Sequence, residues 1–402
     1  AGCLAGALAA AGGAAAAIGW RPGRRRSGAG PQQQRTSEAR VPAPPPGHFD
    51  VCILGSGVSA GVPMMNHVFQ GGCPRTEFSH RRCDGQAVCL EAMRPGSRNA
   101  RCNVSILLRF VPPGGAREVV IMVDAGKTLR NACLKSFPKL GVRNLDVLLI
   151  THDHADAMMG LDDLRDLQQM EELKDPETGK SQGWRVAGAG ATRIISNHQT
   201  LRTSRAAFPY LKGVPDFVAP GVTYRRVAQF RWEQLLSDRC ALDLHGLPVQ
   251  TFPVYHGGTY VSLGFSFGRV EGVGGAKGIR PFVYISDVSS LPLETEEWLR
   301  EAPIGVLVVD ALRREHHATH FSLQDAVDFV RKLRPRRALF VGMSSCETGD
   351  HDEVNAELAQ LGAEEGLDMQ LAYDGLMLDP MRTAGPLPGD PNDCQLCEPE
   401  GY

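Results

Sequence analysis

The stretch LLITHDHADAMMGLDDLRDL at 148–167 constrains this chain more than any other. Its opening residues are apolar up to Ile150, as a strand covered on both faces requires. His152, His154 and Asp156 then follow at alternate positions. In an extended segment, alternate side chains point to the same side. Two imidazoles and a carboxylate gathered at a strand end form a transition-metal ligand set. Taken alone, the same letters also fit a helix N-terminus with a capping Asp and two surface His. Further donors weaken that alternative. PVYHGG places His256 at the end of a second apolar run, and YISDVS places Asp287 at the end of a third. Each alone reads as a turn residue. Together, three His and one Asp make a complete set for a catalytic metal with positions left for water.

Composition narrows the class. The 402 residues carry 43 Lys+Arg and 45 Asp+Glu, a net charge of −2. Residues 1–47 hold six Arg and one Glu, so 48–402 carries −7, and nucleic acid as a partner is disfavoured. No bulky apolar run reaches the roughly 20 residues of a membrane span. Eleven Cys among twelve His read as reduced thiols or metal ligands, not as a secreted disulfide framework. The composition leaves a homo-oligomer open.

Residues 1–47 are Ala/Gly-rich, then Arg-rich, then Gln/Pro-rich, and are expected to form a disordered or targeting segment. An Arg-rich, acid-poor leader fits import into a plastid or mitochondrion, and otherwise the chain is expected in the cytoplasm. Residues 382–402 read as a second disordered tail carrying Cys394 and Cys397. Between the tails, 48–381 reads as one domain. Strands are expected at 51–54, 104–110, 119–123, 147–150, 192–195, 249–255, 261–267, 282–286, 304–309, 338–341 and 369–378. Helices are expected at 127–140, 156–173, 292–300, 322–333 and 352–363, the fourth capped by Ser322. Residues 171–190, polar and Gly-rich, read as an inserted loop. Strands that run in series before helices favour an α/β sandwich of face-to-face sheets with helices outside.

The ordered motifs LGSGVSAGVP, RCNVSILL, IMVDAGKTLR, THDHADA, GLDDLR, the strand-end His256, Asp287, DALRREHHATHFSL and AYDGLML resemble the metallo-β-lactamase fold superfamily. The resemblance is greatest to its branch of cyclic-phosphate phosphodiesterases. It implies an αββα sandwich and a metal-dependent hydrolase acting on small or cyclic phosphodiesters through an activated water. It implies that His152, His154, His256 and Asp287 hold a zinc or manganese ion. Asp156 would orient or deprotonate the water. His320, in HATHFSL, would contact the phosphate or protonate the leaving oxygen, and Asp124 would hydrogen-bond a ligand His from behind. His316 and His317 read as solvated loop residues.

Two departures bear on the metal count. The superfamily pattern H-x-H-x-D-H ends here in Ala157, and the late-strand His is replaced by Gly342. Both would ligate a second ion, so the resemblance implies one catalytic ion. Related phosphodiesterases also carry a structural zinc. Its expected ligands here are Cys73, Cys83, Cys89 and Cys346, with His80 or His351 as substitutes. Two other readings use the same residues: a non-catalytic, metal-stabilised binding protein, and a glyoxalase-like thioester hydrolase.

Overall fold

The computed structural model describes residues 40–70, 85–115, 117–187, 190–211, 213, 223, 226–271, 278–346 and 348–384. Most of the expected 1–47 segment and all of the tail beyond Ala384 lie outside them, as do Cys73, His80, Cys83, Cys394 and Cys397. The described chain begins β1 (Phe49–Gly55), α1 (Met65–Gln70), α2 (Gly85–Ala92), β2 (Ser105–Phe110), β3 (Val119–Val123), α3 (Leu129–Leu140) and β4 (Val147–Leu149). It continues through α4 (Ala155–Met158), β5 (Met170–Lys174), β6 (Ser181–Val186), β7 (Thr192–Ser196), α5 (His198–Ala207), β8 (Phe230–Gln234) and β9 (Ala241–Leu244). Then come β10 (Leu247–Tyr255), β11 (Val261–Phe267), β12 (Arg280–Ile285), α6 (Leu293–Arg300), β13 (Ile304–Asp310), α7 (Leu323–Leu333) and β14 (Arg337–Val341). The described elements end with α8 (His351–Glu365), β15 (Met369–Leu371), β16 (Met377–Leu378) and α9 (Pro380–Ala384).

Among the described residues these strands build two seven-stranded sheets, ordered β16-β1-β2-β3-β4-β7-β8 and β15-β14-β13-β12-β11-β10-β9. Strands β3, β4, β7 and β8 run parallel, as do β12 to β15. Phe49, Ile106, Leu108, Phe265, Phe267, Phe282 and Leu339 fill the layer between the sheets. A second apolar layer joins the first sheet to α3, and a third joins the second sheet to α7 and α8. The result is the expected αββα sandwich. Central strands such as β13, IGVLVVD, are buried at every position because both faces are covered. Helix α7 starts on the expected N-cap Ser322, and Asp325 completes a capping box with it.

Three local expectations are corrected. The helix expected over 156–173 breaks into α4 and a tight 3₁₀ turn at Leu161–Leu167. The Ala157 carbonyl accepts from Ala125 N–H at 2.7 Å, and Gly160 N–H donates to the Ala125 carbonyl at 2.7 Å. Those bonds tie the segment to the end of β3 and take it out of helical register. The loop expected at 171–190 contains the hairpin β5–β6, turned at Asp175, whose carboxylate accepts from Glu177 and Thr178 N–H. The single strand expected at 369–378 is two strands in different sheets. Gly375, at φ 96°, turns the chain between them, and Asp374 pins the crossing by accepting from Ser56 and Cys102 N–H. On the other side of the domain, Val41 N–H donates to the Lys139 carbonyl, and buried Arg109 donates to the Val41 and Pro42 carbonyls.

No helix among the described residues is long and apolar enough to cross a membrane.

Close backbone approach places the metal-loop candidates. A Cβ on Gly126 would lie 1.9 Å from the Asp156 carbonyl oxygen. Gly126→Ala is therefore expected to destabilise the chain by about 1–3 kcal/mol. Thermal melting of the metal-free protein checks this, and an unchanged melting temperature contradicts the packing.

Candidate metal centre

The C-terminal ends of strands from both sheets deliver the site's side chains to one edge of the sandwich. His152 and His154 follow β4, His256 follows β10, Asp287 follows β12, and Asp310 ends β13. One ligand atom each from His152, His154 and His256 lie within 4.8 Å of one another. The same holds for His152, Asp156 and Asp287, and for His256, Asp287 and His320. The structure thus gathers all four expected ligands, together with Asp156 and His320. Asp124 and Asp287 both take left-handed backbone angles, φ 62° and 45°, which non-glycine residues seldom adopt. At both strand ends the chain turns sharply beside the cluster.

Hydrogen bonds fix the imidazole tautomers. His256 Nδ1–H donates to the Thr319 carbonyl at 2.7 Å, leaving a lone pair on Nε2. The Asp124 carboxylate accepts from Thr151 N–H at 2.8 Å and from the Thr151 hydroxyl. With that hydroxyl proton committed to Asp124, Thr151 Oγ1 accepts from His152 Nδ1–H at 2.8 Å. Asp124 therefore braces His152 through Thr151 instead of touching it, a correction to the direct contact expected. His152 Nε2 is buried and has no hydrogen-bond partner. It faces Asp287 Oδ2 at 3.4 Å, while His256 Nε2 faces the same oxygen at 3.6 Å and His154 Nδ1 at 3.2 Å.

Burial pushes the His152 ring well below its ordinary pKa, with the neighbouring rings adding to the effect. Burial likewise pushes His256 down to about 4. Both shifts favour the neutral rings, whose Nε2 atoms lie 3.4 and 3.6 Å from the same Asp287 oxygen. Burial, then the nearby Asp156 charge, pushes Asp287 well up. A cation bound among these groups would relieve the carboxylate's penalty and give the orphaned nitrogen a partner, so the residues present fit a divalent ion.

His320 differs in kind. Its Nδ1–H donates to the fully buried Asp310 at 2.7 Å. Burial alone would lower its pKa, but the Asp310 charge and hydrogen bond prevail and raise it to about 9. At Gly342, φ 80°, a Cβ would lie 2.3 Å from Asp310 Oδ1, so a side chain there collides with the carboxylate that holds His320. Ala157 is buried and brings no donor. His317 is less solvated than expected, its Nδ1 accepting from Thr319 N–H.

Of the expected structural-zinc residues, Cys89 and Cys346 are described. They flank a residue that sequence reasoning missed: His67 Nδ1 lies 3.2 Å from Cys89 Sγ, and His67 Nε2 lies 3.2 Å from Cys346 Sγ. His351 instead faces the Asn355 side chain at 2.9 Å. Thr151 and Asp310 were also missed, although both sit inside the quoted motifs THDHADA and DALRREHHATHFSL.

A beta-lactamase superfamily domain model matches residues 120–343, more than half of the chain, and the chain belongs to that family. Its fold binds divalent metal ions. The chain is similar to the crystal structure of a new diphosphatase from the PhnP family. That similarity has a TM-score of 0.56 and 25% identity, covering 82% of this chain and 97% of the other. Its fold is also that of Zn(2+)-bound PqqB from Methylobacterium extorquens, at TM-score 0.50 and 17% identity over 82% of this chain and 99% of that one. It is 22% identical over 297 residues to an octanoyltransferase of Porphyromonas gingivalis. That match takes in 73% of this chain but spans only 45% of the octanoyltransferase.

The His320–Asp310 pair carries a signed pH dependence in the metal-free protein. The folded pKa of about 9 lies above the ordinary His value of about 6.5. Its stabilisation is complete below about pH 6.5 and is lost as pH rises through about 9. The melting-temperature gap between wild type and His320→Gln is expected to be widest near pH 6 and to close towards about pH 10. A gap that stays constant or widens with pH contradicts the assignment.

Proposed function

We propose that the chain hydrolyses small or cyclic phosphodiesters with one catalytic zinc or manganese ion held by His152, His154, His256 and Asp287. The observation that carries this is the buried, unpartnered Nε2 of His152, facing a carboxylate and flanked by two further imidazoles. Zinc suits the imidazoles, and manganese suits the added carboxylates. The absence of donors at Ala157 and Gly342, with Asp310 against the latter, supports a single catalytic ion. When bound, such an ion supplies Lewis acidity and lowers the pKa of water from 15.7 towards about 7.

The chain's own groups do the rest. Asp156, close to His152 and Asp287, orients the attacking water and accepts its proton. His320 keeps its ring charged through Asp310, and its Nε2–H is the proton offered to the departing alkoxide. That pairing of an acceptor carboxylate with a charged imidazole matches what phosphodiester cleavage needs: a strong nucleophile and help for a poor leaving group. Similarity to a PhnP-family diphosphatase supports phosphate chemistry. We also propose a four-coordinate structural zinc held by Cys73, Cys83, Cys89 and Cys346, with His67 packed beside the two described sulfurs at 3.2 Å from each. Its role would be in folding, as for closed thiolate sites.

One set of variants tests both centres. Elemental analysis of wild type is expected to give two ions per chain. His152→Ala loses one ion together with turnover of model phosphodiesters, and Cys89→Ser with Cys346→Ser loses the other. His320→Ala keeps both ions and loses roughly 10²–10⁴-fold in turnover on substrates with poor leaving groups. Undiminished turnover in His320→Ala, or an unchanged metal count in His152→Ala, sinks the corresponding assignment.

A further inference from the structure

His154 is the weakly held member of the three imidazoles. His152 and His256 each have their far nitrogen fixed by an oxygen, and both are buried. His154 is exposed, and its ring's one hydrogen-bond-range contact among the described residues is Nδ1 to His256 Nε2, inside the cluster itself. Something other than a hydrogen bond must orient its ring.

Tyr260 meets that need. Its ring lies parallel to the His154 ring, 4° between planes and 5.1 Å between centroids. The phenol is in turn anchored. Its hydroxyl donates to the Asp153 carboxylate, and Asp153 N–H donates back to the phenol oxygen at 3.3 Å. Helix α5 holds the same carboxylate from the other side through the Thr203 hydroxyl at 2.6 Å and the Gln199 amide at 3.1 Å. The backbone adds a second tie. His256 N–H donates to the Tyr260 carbonyl at 2.8 Å, and Tyr260 N–H donates to the Gly257 carbonyl at 3.1 Å. One turn of the second sheet therefore carries His256 as a ligand and Tyr260 as a plate against His154, which the first sheet supplies.

We propose that Tyr260 is a positioning residue that sets the ring orientation of His154, and that Asp153 fixes Tyr260 by way of α5. Offset stacking orients a ring without occupying either of its nitrogens, which leaves Nδ1 free to serve as a ligand. Loss of a group that orients a metal ligand typically costs 10–100-fold in metal affinity. This inference rests on the metal-centre reading above.

The test uses the full chain, stripped of metal and titrated with cobalt(II). A nitrogen–oxygen site is read from its visible d–d bands, and a thiolate site is read separately from sulfur-to-metal charge transfer. Tyr260→Leu is expected to weaken cobalt at the nitrogen–oxygen site by about 10–100-fold. It should also alter the shape of the d–d bands and leave the charge-transfer signal unmoved. Tyr260→Phe keeps the stacked ring, loses only the tie to Asp153, and is expected to weaken binding by about threefold to tenfold. Because it preserves the packing, it also serves if the Leu variant does not fold. Wild-type affinity and band shape in either variant overturn the role. His152→Ala, run in parallel, should abolish the d–d bands. If it does not, the metal-centre reading fails, whatever Tyr260 does.

Discussion

Burying His152 beside two other imidazoles and a carboxylate is the constraint on which the rest of this edge of the molecule depends. A neutral imidazole loses hydration when buried, and its exposed lone pair then needs a partner. Here the Nδ1 side is satisfied through Thr151 and Asp124, while Nε2 is left aimed at Asp287. Asp287, itself buried, bears a desolvation cost that the nearby Asp156 charge increases. Two such penalties facing one another at 3.4 Å are what a shared divalent cation would relieve.

The surrounding architecture follows from holding that arrangement. The C-terminal ends of strands in both sheets meet at the same edge, so donors distant in sequence need only short excursions to meet. Gly126 and Gly160 let the segment carrying His154 and Asp156 lie against the end of β3 with backbone in contact with backbone. Asp310 serves two neighbours. It holds His320 through one oxygen, and its other oxygen fills the space that a side chain at 342 would take. Adding a ligand at 342 and keeping His320 charged are thus competing demands, and this chain has settled on the second.

Much of this was legible in the sequence, for reasons that differ by residue. His152, His154 and Asp156 declare themselves because alternate spacing in an extended loop converts directly to one-sidedness. His256 and Asp287 could be placed because each ends an apolar run that is certain to be a strand. Thr151 was hidden in the same motif, because a hydroxyl relay between Asp124 and His152 depends on the approach of β3 to β4, not on spacing. Tyr260 and His67 act on partners far along the chain, 106 and 279 residues away by position for His154 and Cys346. Local pattern also misled where distant hydrogen bonds prevailed. The apolar periodicity after Ala155 predicts a long helix, yet the Ala125–Ala157 bond ends it after Met158. The polar hairpin β5–β6 shows little hydrophobic alternation, so it read as a loop.

Anomalous diffraction from crystals of the full chain, grown with zinc or manganese, tests the account most directly. It predicts one peak at this edge of the sandwich, bonded to His152 Nε2, His256 Nε2, His154 Nδ1 and Asp287 at about 2.0–2.2 Å. A metal bound elsewhere, with His152 Nε2 still without a partner, would contradict it.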